Sequence, residues 1–260
     1  MSTLAPHAAF AAPEPAIYAK VRAAGSKGKA MPFFSDRGVY NSDQRFMNRL
    51  NERYNHIIQP QLNHITGKKI LDLGAHDGRW MWACLESGAK SVTGFEARKA
   101  SVEAGKKSIS LLYRDHKNSF NFRIGDVFDL ISKVKPGAYD TILCLGLFYH
   151  ILNHERMVAL MTSLKPEAII IDSVLSNSGE LVSRFQYEDT SNPDMGFSNN
   201  PKTLVGTTSV GALNEFAKIN GYDVEYIDWR ADQINSQYQL NDYMAKERFT
   251  CVLRPLSSRS

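Results

Sequence analysis

The chain has 260 residues, 43% of them hydrophobic and 22% charged, with 31 Lys and Arg against 27 Asp and Glu for a formal net charge of +4. That length buries one sizeable core, and the weak positive bias lacks the concentrated basic footprint of a dedicated nucleic-acid binder. With no apolar stretch near the length of a membrane span, and with Cys84, Cys144 and Cys251 far apart in apolar surroundings, the expectation is a soluble, cytoplasmic protein with core thiols and no metal site.

Residues 1–35 are rich in Ala and Pro, and their apolar residues lack period, so this extension is expected to be poorly ordered. Its bases come late and Arg is scarce, which makes a targeting segment the lesser reading. From 41 to about 64, Phe46, Leu50, Tyr54, Ile57 and Ile58 recur at the spacing of an amphipathic helix. Arg45, Arg49 and Arg53 share one face of it, read either as a solvated face or as a phosphate-tracking strip. Strands and helices then alternate. Strands are expected at 69–73, 91–95, 121–124, 139–145 and 168–172, with helices near 78–87, 99–113, 127–132 and 155–164. Apolar strands separated by helices imply a parallel sheet covered on both faces. Residues 174–207 read as a long irregular insert, a length usual for lids and binding loops. A helix over 209–220 is closed by Gly221, and strands at 222–229 and 248–254 pair antiparallel for want of a crossover helix.

The most informative run is Lys69-Ile70-Leu71-Asp72-Leu73-Gly74-Ala75-His76-Asp77-Gly78. Gly74 permits a tight turn after a strand, and Gly78 opens a helix whose first N–H groups face the turn. The dinucleotide fingerprint G-x-G-x-x-G is absent, since His76 stands where a middle glycine would sit. A bulky side chain there crowds a pyrophosphate but tolerates an amino-acid tail, so an NAD-dependent oxidoreductase ranks lower. Glu96, ending the second strand, is placed to accept from a ribose diol. Asp126, ending the third, is placed to accept from an adenine amino group. Singly, Asp72 reads as a satisfied buried acid, and Glu96 and Asp126 as helix caps. Three acids at successive strand ends around one glycine turn favour a pocket for an adenosine-bearing cofactor.

The strings ILDLGAHDG, GFEAR, GDVFD and YDTILCLGLFYHI resemble the four motifs of the class I S-adenosylmethionine-dependent methyltransferases, a likeness covering roughly 67–254. The resemblance implies a methyltransferase domain over 36–260, an α/β Rossmann-like sheet of order 3-2-1-4-5-7-6 with strand seven antiparallel, and S-adenosyl-L-methionine as cofactor. It implies that Asp72 and Gly74 line the methionine moiety, with Ala75, His76 and Gly78 in the same turn. Glu96 and Ala97 would hold ribose, Asp126 and Val127 flank adenine, and Leu145 and Gly146 border the sulfonium.

Methyl transfer from a sulfonium is an in-line displacement that needs positioning more than chemistry. Tyr149 and His150, after the fourth strand, are candidates to bind or deprotonate an acceptor hydroxyl, with packing and capping as their structural alternatives. No Asn/Asp-Pro-Pro-Tyr motif points to DNA bases. Trp80 and Trp82 read as core residues, Arg98 as solvated or lying over the adenine edge, and Arg184 to Glu188 as a candidate lid or a surface loop with one apolar anchor. The strings DLGAHDGRW, LGLFYHI and TTSVGALNEFAKINGYDVEYID are also similar to the branch containing bacterial transfer RNA wobble-uridine modifying enzymes, which use an S-adenosylmethionine derivative with a carboxylate on the transferred carbon. The expected partner is a small-molecule acceptor methylated at oxygen or nitrogen. Transfer RNA is the alternative substrate, and a catalytically silent scaffold the alternative class.

Overall fold

The computed structural model describes residues 21–23, 44–112, 119–189, 202–229 and 240–256. In chain order these form β1 (Val21–Ala23), α1 (Gln44–Ile57), β2 (Lys69–Leu73), α2 (Arg79–Glu86), β3 (Ser91–Glu96), α3 (Lys99–Leu112), β4 (Phe120–Ile124) and α4 (Val127–Ile131). They continue with β5 (Thr141–Leu145), α5 (His154–Ser163), β6 (Ala168–Val174), β7 (Ser183–Asp189), β8 (Lys202–Thr208), α6 (Val210–Ile219), β9 (Tyr222–Asp228), α7 (Asn241–Met244) and β10 (Arg248–Pro255). Short 3₁₀ turns cover Gln59–His64 and Phe148–His150.

The main sheet runs β4-β3-β2-β5-β6-β10-β9-β1. Only β10 is antiparallel to its neighbours, pairing Thr250 with Asp172 on β6 and Leu253 with Val224 on β9. The methyltransferase order implied by the sequence is therefore present, extended by β1, which pairs parallel with β9 from Val21↔Tyr226 to Ala23↔Asp228. Those three residues are the described part of the N-terminal extension; the expectation of poor order over the rest of 1–35 lies outside the described residues.

Side chains alternate across the central strands with period two, so each strand feeds two cores. Ile70, Leu143, Leu145 and Ile170 enter one cluster with Leu50, Tyr54 and Ile57 of α1, Met81 of α2 and Ile109 of α3. Leu71, Leu73, Ile142, Cys144, Ile169 and Ile171 enter the other with Ile131 of α4, Met157 and Met161 of α5 and Leu213 of α6. A fully buried aliphatic side chain contributes roughly 1.5–3 kcal/mol, so these two layers are what hold the helices on the sheet. All three cysteines are buried free thiols. Among the described residues no helix is long and apolar enough to cross a membrane.

Local signals end the helices. Ser209 accepts from Ala212 N–H at 3.0 Å to start α6, and Gly221, at φ 78°, follows its end. The insert after β6 differs from the expected irregular loop: β7 and β8 form an antiparallel two-stranded sheet registered from Ser183↔Thr208 to Asp189↔Lys202. It docks on the body through His154, whose Nε2 lies 3.1 Å from the Gly206 carbonyl oxygen.

Candidate active site

The strand order reverses between β2 and β5, and in open α/β sheets ligands bind beyond the carboxyl ends of the strands at such a switch point. A cavity of about 220 Å³ lies there, walled by Gly74, Ala75 and His76 after β2, Glu96 and Arg98 after β3, and Leu145, Gly146 and Leu147 after β5. Arg53, Arg79, Trp80, Tyr149 and His150 complete its walls.

Glu96 is 2% exposed and organises the turn. Its Oε2 accepts the His76 backbone N–H at 2.8 Å, and its Oε1 accepts the Arg98 backbone N–H and Nε–H, each at 2.9 Å. His76 adopts a positive φ of 52°, which only the tight turn between Gly74 and Gly78 demands. Burial lowers the His76 imidazole below its ordinary pKa; Asp77 and Glu96 oppose this while Arg98 and Arg79 reinforce it. Gly78 has no room for a side chain, because a Cβ would stand 2.8 Å from Phe122 Cζ. Arg98, read from sequence as solvated, is instead tied to Glu96 with 18% of its side chain exposed.

Beneath the turn, Asp72 is 1% exposed and its Oδ2 has no hydrogen-bond partner. Burial pushes its carboxyl well above the usual range, and the Glu96 and Asp77 carboxylates push the same way. An acceptor left without a donor at this depth fits a site that receives a polar, cationic ligand. Gly146 fits the same use: at φ 98° it takes a backbone conformation that a side chain strains, and a Cβ there would meet only Arg248 Nη2, at 3.8 Å. Any larger residue would project into the cavity.

The wall formed by Arg53 belongs to a buried charge network. Asp172, in β6 and 0% exposed, accepts from Arg248 Nε at 2.7 Å, Arg53 Nη2 at 2.8 Å, Tyr243 Oη at 2.8 Å and Thr250 Oγ1 at 2.7 Å. Burial alone would raise this carboxyl, but the Arg248 and Arg53 guanidiniums and the two hydroxyls hold it well below the usual carboxylate range. Two guanidiniums share one carboxylate, which leaves a cationic excess beside Gly146. Arg53 Nε is buried without a partner, and the Arg248 guanidinium lies 5.3 Å from the Tyr149 ring centroid. Arg49 and Arg53 of α1 thus face inward rather than forming a solvated strip, while the side chain of Arg45 lies outside the described residues; Arg49 makes a two-pronged bond to Asp242 at 2.8 and 2.6 Å.

Tyr149 and His150 sit on the 3₁₀ turn after β5, their rings 4.1 Å apart. His150 Nδ1 lies 2.9 Å from Glu188 Oε2 on β7, so the two-stranded insert reaches the cavity edge. Of the sequence-picked residues, Asp72, Gly78, Ala97, Asp126 and Val127 lie off the cavity walls. Asp126 is exposed and caps α4, accepting from Phe128 N–H at 2.8 Å and Asp129 N–H at 3.3 Å. Ala97 is exposed and Val127 half-buried on neighbouring strand ends. Arg53, Arg79 and Leu147 line the cavity without having been singled out for it. Trp80, read as core, is 6% exposed and lines it as well.

This fold and cavity define a class I methyltransferase architecture, and comparison with known proteins agrees. A methyltransferase domain family matches residues 44–236, and the chain belongs to it. It is 24% identical over 211 residues to a transfer RNA U34 carboxymethyltransferase of Campylobacter concisus, covering 79% of this chain and 65% of that one. A ubiquinone biosynthesis O-methyltransferase of Chromobacterium violaceum is 30% identical over 117 residues, 45% of this chain and 48% of the relative. The chain thus spans less than two thirds of the length of these relatives. Among solved structures it is similar in fold to the N-terminal domain of EvdMO1 with SAH and D-fucose, at TM-score 0.60, 17% identity and coverage of 82% and 84%. The SAH-bound magnesium protoporphyrin IX methyltransferase of Synechocystis gives TM-score 0.55 at 13% identity over 82% and 86%.

Proposed function

We propose that the chain is an S-adenosyl-L-methionine-dependent methyltransferase acting on a small organic acceptor at oxygen or nitrogen. The observation that carries this reading is the Glu96-braced turn at the strand-order switch, over the unpartnered oxygen of Asp72. When bound, the cofactor supplies a methyl group on an electron-poor sulfur.

The chain's own groups then divide the work. Asp72, beneath Gly74 and Ala75, offers the methionine end a buried acceptor. Glu96 accepts three hydrogen bonds from His76 and Arg98, and since an ionised carboxylate has about four acceptor sites, about one is left to accept from a ribose hydroxyl. Ala97, Asp126 and Val127 form the rim for adenine, with Gly78 and His76 shaping the turn. Leu145 and Gly146 border the transferred carbon, where Leu147 and Trp80 exclude water. Tyr149 and His150 face the acceptor.

A second reading has one observation in its favour. The cationic excess of Arg53 and Arg248 over Asp172 beside Gly146 suits a carboxylate on the transferred carbon, as the name of the carboxymethyltransferase relatives implies, with transfer RNA as acceptor. Release of S-adenosylhomocysteine separates the readings. Turnover from S-adenosyl-L-methionine with a small-molecule extract supports the first. Turnover only from the carboxylated cofactor with unmodified transfer RNA supports the second. No product with any pairing points to a binding or scaffold role.

A further inference from the structure

We propose that Glu188, carried on the β7–β8 insert, is the positioning residue that makes His150 the general base for a hydroxyl acceptor. This rests on the methyltransferase reading and deepens it, since it names an ionisable O–H compound as the substrate class.

Three observations carry it. The contact is short, 2.9 Å from His150 Nδ1 to Glu188 Oε2, and it joins residues 38 apart on separate elements. It is also sheltered, with 9% of the His150 side chain and 25% of the Glu188 side chain exposed. Finally, His150 belongs to the cavity wall on the same stretch as Gly146 and Tyr149, whereas Glu188 does not line it. A carboxylate accepting from Nδ1–H fixes the tautomer in which Nε2 carries the lone pair. A base oriented by a third group is the arrangement on which activated acceptors depend.

The surroundings keep that base in its working form. Burial lowers the His150 pKa below its ordinary value, Glu188 opposes the lowering, and the Arg248 and Arg98 guanidiniums reinforce it. The Tyr149 ring lies alongside, tilted 39° to the imidazole. The imidazole is therefore neutral near pH 7 and able to accept a proton. In the transfer step, Nε2 takes the acceptor's hydroxyl proton as its oxygen forms the new C–O bond. The C–S bond of the methyl donor breaks with its electron pair left on sulfur, and the imidazolium afterwards returns the proton to water.

Phe185 and Tyr187, on the same strand as Glu188, are 56% and 76% exposed, and β8 packs against the 3₁₀ turn that bears His150.

Nitrogen-15 long-range NMR of the full chain with labelled histidine tests this, His150 being assigned by its loss in His150→Gln. The proposal expects a neutral Nδ1–H tautomer in the wild type and a His150 titration moved to lower pH in Glu188→Gln. A predominant Nε2–H tautomer, or a titration that Glu188→Gln leaves in place, overturns it. Calorimetry with S-adenosylhomocysteine on the same samples keeps the two readings apart. Failure of that ligand to bind wild type counts against the methyltransferase assignment, whereas the tautomer result bears on Glu188 alone. In turnover, Glu188→Gln should lower kcat and shift its acidic limb to lower pH, leave KM for the cofactor unchanged, and be partly rescued in Glu188→Asp. Unchanged kcat and pH profile contradict a positioning role.

Discussion

Glu96 Oε2 accepts the backbone N–H of His76 at 2.8 Å, so the end of β3 fixes the turn that leaves β2. One carboxylate thereby braces the loop and keeps about one acceptor site for the cavity. Hydrogen bonds to charged groups contribute about 1.5–3 kcal/mol. Glu96→Ala is therefore expected to weaken S-adenosylhomocysteine binding by roughly ten- to hundredfold, at about 1.4 kcal/mol per factor of ten. Calorimetry measures it; an unchanged Kd would remove Glu96 from the ligand's contacts.

Asp72 has the opposite character, a buried acid whose charge is unwelcome in the ligand-free fold. Its pKa is raised by burial first and by Glu96 and Asp77 next, from an ordinary 3.8. The folded state therefore holds the proton more tightly, and this contribution to stability is lost as pH rises from the ordinary Asp value toward the folded one. Asp72→Asn should raise the Tm of the ligand-free protein at pH 7–8 and flatten its decline with pH, while weakening cofactor binding. The gain expected from replacing a buried, poorly satisfied acid by a neutral amide is about 1–3 kcal/mol. A lower Tm in Asp72→Asn at every pH would contradict a poorly satisfied Asp72 with a raised pKa.

Asp172 should behave in the reverse sense. Removing the carboxylate leaves the Arg53 and Arg248 guanidiniums facing each other in the core. Asp172→Ala should cost about 3–5 kcal/mol, the usual loss when one partner of a buried pair is deleted. Its folded pKa lies below the ordinary 3.8, so its stabilisation is present above that value and lost as pH falls below it. Urea denaturation from pH 7 down to pH 3 measures both; an acid limb unchanged in Asp172→Asn would contradict the linkage.

Gly146 links strand geometry to cofactor access. Gly146→Ala forces a side chain into a φ of 98° and into the cavity. Stability should fall by about 1 kcal/mol for the backbone conformation, while cofactor affinity should fall at least tenfold, and thermal denaturation with and without S-adenosylhomocysteine separates the two effects. A variant that binds normally would mean that the ligand does not pass over Gly146.

The residues of the sheet were legible because each central strand is a short apolar run stopped by glycine or an acid, and both cores follow from that pattern. Glu96 and Gly146 declared themselves by standing at strand ends. Asp126 illustrates the ambiguity of the same signal: Gly125-Asp126-Val127-Phe128 reads equally as a ligand site and as a helix cap, and the cap is formed. The β7–β8 sheet reads in sequence as an irregular insert: Arg184-Phe185-Gln186-Tyr187-Glu188 does alternate polar and aromatic residues, but the strand is short and nearly every residue of Ser183–Asp189 is exposed, so no buried face singles it out. Nor were the roles of Arg49 and Arg53. Their carboxylate partners lie 193 and 119 residues away, so no local spacing distinguishes an inward arginine from a solvated one. The same distance problem hid Glu188 from His150.

Calorimetric titration of the folded, ligand-free chain with S-adenosyl-L-methionine, S-adenosylhomocysteine and NAD, alongside Glu96→Ala, tests the central claim most directly. The account predicts binding of the first two, loss or marked weakening of both in the variant, and no heat from NAD. Binding of NAD alone, or equal binding by the wild type and Glu96→Ala, would contradict it.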